Sequence, residues 1–200
     1  MLALTVVIAA MASILHARRT AAELDACVPP FDGRADGGWE SESAADGPQW
    51  ALTSSSLGTA NHAQVADVGA RRYDARLLSP NFNVPGHGAD LEFHQHRVYS
   101  WANTMGVLEI AIDGGPFVDI TTAGGAFSAG GYDSRSLPGN PLGFRAAWAA
   151  ATNQDTLTRI SLPSSADGRT ARLRFRLGSA GTGDVLPGWS LDGIRCTLGE

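Results

Sequence analysis

The stretch "ARLRFRL", Ala171–Leu177, is the strongest constraint on what this chain can fold into. Ala171, Leu173, Phe175 and Leu177 alternate with Arg172, Arg174 and Arg176. A period of two puts one set on each face of a β-strand. The run "VLEIAID" repeats the pattern, with Leu108, Ile110 and Ile112 on one side and Glu109, Ala111 and Asp113 on the other. "DGG" at Asp113–Gly115 then turns the chain towards Phe117 and Ile120, a hairpin signal. Short runs of this kind recur, punctuated by Gly, Pro, Asn and Asp. They start at Gln49, His62, Arg76, Ala89, Gly106, Pro116, Leu157 and Arg169, and a closing "GWSLDGIRC" runs from Gly188. Many short strands with turn signals between them predict an all-β antiparallel sandwich or barrel. "GFRAAWAAATNQ", from Gly143, has helical character, but its neighbours are strands and Pro, so a helix is the lesser expectation there.

Composition agrees. The chain has 200 residues, enough for one domain with a substantial core. It is 44% apolar and only 18% charged, which excludes a disordered chain. The 24 Gly and 10 Pro favour turns and strands over long helices. A net charge of −5 gives no case for nucleic-acid binding. All 15 basic residues are Arg.

Leu2–Leu15 is an apolar run without charge, about as long as a signal-peptide core and short of the roughly 20 residues that a bilayer span needs. Small residues at Ala10–Ala12 and Ala17 offer cleavage positions, although Arg18 and Arg19 follow the run instead of a basic residue preceding it. Residues 1–22 are therefore expected to be a signal peptide or an N-terminal anchor, and 27–198 the folded domain. Contact with a membrane is expected only through the N-terminal segment, if it is uncleaved. Cys27 and Cys196 lie near the two ends of that domain. In an oxidising compartment they are expected to pair, and a bridge over so long a loop stabilises by roughly 4–5 kcal/mol in the chain-entropy account. The other reading is two separate buried thiols.

A family resemblance then enters. "FDG" at Phe31, "LLSPNFNV" at Leu77, "DLEFHQHRVYS" at Asp90, "GVLEIAIDGGPFVDI" at Gly106, "AWAAAT" at Ala147, "LRFRLGS" at Leu173 and "GWSLDGI" at Gly188 occur in that order. Together they resemble the MAM-like jelly-roll domain of bacterial exported proteins, which accompanies immune-inhibitor-A-type and fungalysin-type secreted metalloproteases. The resemblance spans roughly Cys27 to Thr197. It implies a two-sheet antiparallel jelly roll without a catalytic centre of its own, exported, with a role in adhesion or recognition. It also implies that Trp189 lies in the core of the last strand and that this strand adjoins the first, around Phe31. Asp32 and Asp192 would then come near each other, and hard carboxylate oxygens suit a structural Ca²⁺. The other reading of Asp192 is a turn former that bonds backbone N–H groups.

Other residues carry chemistry on their own terms. His94 and His96 share one strand face, as a metal site needs, but no histidine follows them to complete a ligand set. No G-x-S-x-G or H-E-x-x-H motif occurs. Glu92 and Glu109, placed on neighbouring strands, would make a glycosidase-like carboxylate pair, the basis of an alternative reading as a small jelly-roll hydrolase. The Arg172–Arg174–Arg176 row is expected to pair with acidic residues across the sheet, the alternative being a hold on acidic glycans. Of the tryptophans, Trp148 and Trp189 are assigned to the core. Trp101, with Tyr99 before it, is the expected exposed contact for a ligand. The reading is a non-catalytic, secreted or cell-surface β-sandwich that binds a glycan or a protein.

Overall fold

The computed structural model describes residues 37–43, 47–53, 62–68, 71–100, 103–152, 154–181 and 183–198. Cys27, Asp32 and Trp101 lie outside them, as does the expected N-terminal segment. Two antiparallel sheets face each other. The first is ordered β1 (Glu40–Ser43), β4 (Arg72–Leu78), β13 (Thr170–Ala180), β7 (Thr104–Ile112), β8 (Val118–Asp119), with β5 (Phe82–Asn83) beside the start of β13. The second is ordered β2 (Ala51–Thr53), β3 (His62–Asp67), β14 (Leu186–Leu198), β6 (Ala89–Val98), β12 (Thr156–Ser161), β9 (Ala126–Ala129). A small ribbon pairs β10 (Ser134–Arg135) with β11 (Ala146–Ala147). The predicted two-sheet β-sandwich is what the chain forms. The short β1, β9, β10 and β11 were not anticipated, and the stretch from Gly143 forms β11 and no helix.

The alternation of "ARLRFRL" fixes the faces of β13. Ala171, Leu173, Phe175 and Leu177 are buried in the core, and the three arginines project from the outer face. β7 follows the same rule, with Leu108 and Ile110 inward and Glu109 outward. The hairpin after it is built as its residues require. Asp113 and Gly114 have φ of 49° and 70°, the left-handed pair of a type I′ turn, closed by the Gly115 N–H to the Ile112 carbonyl at 2.9 Å.

Trp189 sits at the centre of the core, fully buried. Its ring centroid lies 5.5 Å from that of Trp50, 5.6 Å from Trp148 and 6.0 Å from Phe175. Its indole N–H donates to Gln95 Oε1 at 3.1 Å, so the polar end of the ring is satisfied. Two glycines make room for it. A Cβ on Gly106 would stand 2.8 Å from the Trp189 ring, so β7 crosses it closely only as glycine. Gly188, at φ 89°, forms the bulge that aims Trp189 inward, and a Cβ there would run into the Val65 carbonyl. The Gly-Trp pair of the closing strand is thus a steric unit.

Between β9 and β12 the chain leaves the two main sheets, and part of it covers the outer face of the first one. Leu142 packs on Met105, Val107, Ala147 and Ala149 in a second, smaller apolar cluster. Asn140 Nδ2 donates to the carbonyls of Asn103 and Gly178, each at 2.9 Å, tying the loop to β13. This excursion positions the candidate site.

Candidate functional site

The outer face of the first sheet carries a dense charge network. Glu109, 2% exposed, accepts from Arg145 and Arg174, each at 2.6 Å, with Arg176 at 3.5 Å. Asp74 accepts from Arg76 at 2.6 Å and from Arg176 at 2.7 Å. Burial alone would raise the Asp74 carboxyl, but the hydrogen bonds from Arg176 and Arg76 outweigh it and hold it below the usual carboxylate range. Arg172 pairs with Glu40 at 2.6 Å. The arginine row therefore pairs across the strands, as expected, and its guanidinium groups are occupied by protein carboxylates.

A cleft of about 410 Å³ opens at the edge of this face, lined by Asp119, Thr121, Thr122, Arg135, Phe144, Arg145 and Ala146. Its two walls have different origins. One is the turn after β8. There Asp119 Oδ1 accepts from the N–H and hydroxyl of Thr121, at 2.9 and 2.6 Å, while Oδ2 accepts from Arg145 at 2.6 Å and faces the Tyr132 hydroxyl at 3.1 Å. The other wall is the β10–β11 ribbon, where Arg135 pairs with Ala146. Ser136 pins its loop: its N–H donates to the Arg145 carbonyl at 2.7 Å, and its hydroxyl oxygen accepts the Arg145 N–H at 3.0 Å.

Phe144 stands out of this wall, 65% exposed. Among the described Phe, Tyr and Trp side chains it alone is exposed. The Arg135 guanidinium lies 4.8 Å from its ring centroid, a cation–π contact. Next to it, Arg145 is clamped between Glu109 and Asp119, whose charge holds its pKa up against the lowering effect of burial. Burial, then the Asp119 charge, pushes the Tyr132 hydroxyl well above its ordinary value, so it stays neutral. The Asp119 carboxylate is fully engaged with Arg145, Thr121 and Tyr132. The cleft thus offers an aromatic ring, a guanidinium and threonine hydroxyls on a pinned frame, which is equipment for holding a polar ligand that has an apolar face.

The sequence-predicted residues fall elsewhere. Tyr99 is a correction: it is buried, and its hydroxyl donates to the Trp148 carbonyl at 2.8 Å, because the odd-numbered residues of β6 face the core. It presents no surface to a ligand. Glu92 and Glu109 are a second correction. They lie in different sheets, each on the outer side, so the whole sandwich separates them. Each is also occupied by arginines, Glu92 by Arg159 and by Arg195 at 2.8 Å. Asp192 lies within β14 opposite His94 and accepts the Gly193 N–H at 2.7 Å beside a β-bulge. Among the described residues no group of three or more His, Cys, Asp and Glu is placed to hold a metal ion. His94 is exposed and His96 Nε2 lies 3.1 Å from the Thr152 carbonyl. Trp148 and Trp189 are in the core as assigned. Cys196 is buried and is not a free thiol.

Sequence reasoning missed Phe144 and Arg135. The available signal was an aromatic inside "SLPGNPLGFR", since a ring in a Pro- and Gly-rich loop has little core to enter.

No protein-family model and no curated protein matches this sequence. Solved structures match its fold. TmCBM61, solved in complex with β-1,4-galactotriose, superposes with a TM-score of 0.52 at 8% identity, over 86% of this chain and 95% of that one. A carbohydrate-binding module of the β-sandwich superfamily, described as promiscuous in specificity, gives 0.53 at 11% identity, over 86% of this chain and 62% of that one. The enzymatically active domain of bacteriophage CBA120 tailspike protein 4 gives 0.49 at 12% identity; the match takes in 84% of this chain and 20% of that one, so this chain spans about a fifth of its length. At these identities the likeness to the two carbohydrate-binding modules establishes the β-sandwich fold alone.

Proposed function

We propose that this chain is a non-catalytic glycan-recognition module whose ligand enters the cleft beside Phe144. The observation that carries the proposal is an exposed aromatic ring set among Arg135, Thr121 and Thr122 on a pinned frame. Sugars present an apolar C–H face to such a ring and hydroxyls to the surrounding polar groups. The fold neighbours with carbohydrate-binding names support the reading. The hydrolase reading has lost its basis, because its two carboxylates lie on opposite sides of the sandwich. Binding to a panel of immobilised glycans, repeated with Phe144→Ala, tests the proposal. Retention by at least one glycan class that the variant loses is the expected result. Capture of no glycan at all overturns it and leaves a protein ligand as the reading to pursue.

The same proposal places the module outside the cell or at its surface, with residues 1–22 as leader or anchor and 27–198 as the module. Its resemblance to the MAM-like domains of exported proteins supports this, and a Cys27–Cys196 bridge belongs to the same proposal. Cys196 is not a free thiol, and Cys27 is the other cysteine of the chain. Among the described residues no helix is long and apolar enough to cross a membrane. Non-reducing peptide mapping of the exported protein should recover Cys27 and Cys196 in one linked peptide. Two separate alkylated peptides would remove the bridge from the proposal.

A further inference from the structure

The two arginines of the cleft are in opposite electrostatic states. Arg145 meets two carboxylates, Glu109 and Asp119, each at 2.6 Å, and its charge is more than balanced. Arg135 is exposed, and among the described residues no hydrogen bond or ion pair engages its guanidinium. Its contact is with the Phe144 ring, which engages the cation through the π system and leaves its N–H donors free. The chain as a whole carries a net charge of −5, and most of its described guanidinium groups are spoken for by carboxylates. An unpaired guanidinium held against the exposed ring is therefore a local exception. The ring fixes where the cation stands, so little of its freedom remains to be lost when an anion arrives.

From this we infer that the cleft selects an acidic sugar, whose ring lies against Phe144 and whose anionic group accepts from the Arg135 guanidinium. The planar fork of Arg matches the paired oxygens of a carboxylate or a sulfate ester, and both are borne by natural polysaccharides. Asp119 does not repel such a group strongly, since Arg174 also meets Glu109 and leaves the Arg145 charge to offset Asp119. The exposed Thr121 and Thr122 on the opposite wall are placed to meet sugar hydroxyls.

This inference rests on the glycan-binding reading, and one experiment separates the two. The whole chain is run through gels containing polygalacturonate, a sulfated galactan or neutral β-1,4-galactan. Retardation by an acidic polymer at least about tenfold stronger than by the neutral one is expected, weakening as salt rises. Arg135→Gln should lose about that factor for the acidic polymer and reduce any neutral binding by far less. Its melting temperature should match the parent, since the side chain is exposed. Arg135→Lys, which keeps the charge without the fork, should recover part of the loss. The polygalacturonate and sulfated arms distinguish a carboxylate from a sulfate ligand. Equal retardation by neutral and acidic polymers, or an acidic preference that survives Arg135→Gln, overturns the inference while the glycan-binding reading stands. Retardation by none of the three, with no glycan captured on the panel, removes both.

Discussion

Glu109 and Glu92 invite comparison. Each is a glutamate on the outer side of a long strand, nearly fully buried, with arginines closing over it. The arginines differ. Those around Glu109, namely Arg145, Arg174 and Arg176, have side chains only 24%, 17% and 15% exposed. Those around Glu92, Arg159 and Arg195, are 46% and 68% exposed. One network is packed beneath the excursion between β9 and β12. The other lies in water on the open face of the second sheet. The exposure of its partners, more than its own burial, decides how much a carboxylate holds together. The covered face is structural, which is why the candidate site sits at the edge of the cover and not on the sheet.

The difference can be broken most directly at Glu109. Glu109→Ala leaves three poorly solvated guanidinium groups without their shared carboxylate, and should cost about 3–5 kcal/mol in chemical denaturation. A loss below about 1 kcal/mol would erase the distinction between the two faces. The inner side of the same strand gives the next effect. Gly106→Ala drives a methyl group into the Trp189 ring and should cost about 1–3 kcal/mol, relieved when Trp189 is also made Phe.

Acid probes both faces together. Asp74 on the covered face and Glu92 on the open one have carboxyls held below their ordinary values. In Asp74 the Arg176 and Arg76 bonds overcome an opposing burial effect, and in Glu92 the Arg195 bond is the largest cause. A depressed folded-state pKa gives stability that is present above the unfolded-state value and is lost as pH falls through the folded one. The melting temperature should therefore hold from neutrality down to the ordinary carboxylate range and decline below it. A decline beginning near neutral pH would point to histidines instead. At Glu92 alone the effect is small: Glu92→Ala should cost about 1 kcal/mol or less and shrink further in high salt. Smallest of all is Phe144→Ala, within about 0.5 kcal/mol of the parent. A clear destabilisation there would make the ring a packing residue and remove it as a ligand platform.

Much of the sandwich was legible because side-chain alternation is a local property. "ARLRFRL" sorts itself into a core face and an arginine face whatever its neighbours are, and the Asp113-Gly114 pair specifies its own turn. Trp189 in the core was legible from its size and its place in the closing strand. The candidate site was almost illegible. Phe144 and Trp148 are four residues apart in one segment, yet one is exposed and the other fully buried. Within "GFRAAW" itself nothing separates them, and the only local hint is the Pro- and Gly-rich stretch that precedes Phe144. The ring of Trp148 is drawn inward because its backbone bridges Gly106, at 2.9 Å in both directions, where the glycine admits the Trp189 ring against which it packs.

By itself, then, the sequence determined the longer strands, their two faces, the hairpin and the aromatic centre, since a period of two, left-handed φ and bulk act within a few residues. Only the tertiary structure decided the order of the strands. That order put Glu92 and Glu109 on opposite sides of the molecule, sent Tyr99 inward and left Phe144 beside Arg135 at the surface. The physical reason is that pairings such as β14 with β6, or β13 with β4, join residues about a hundred positions apart. The free energy of such a contact belongs to the assembled sheets, and no single segment carries a signal for it.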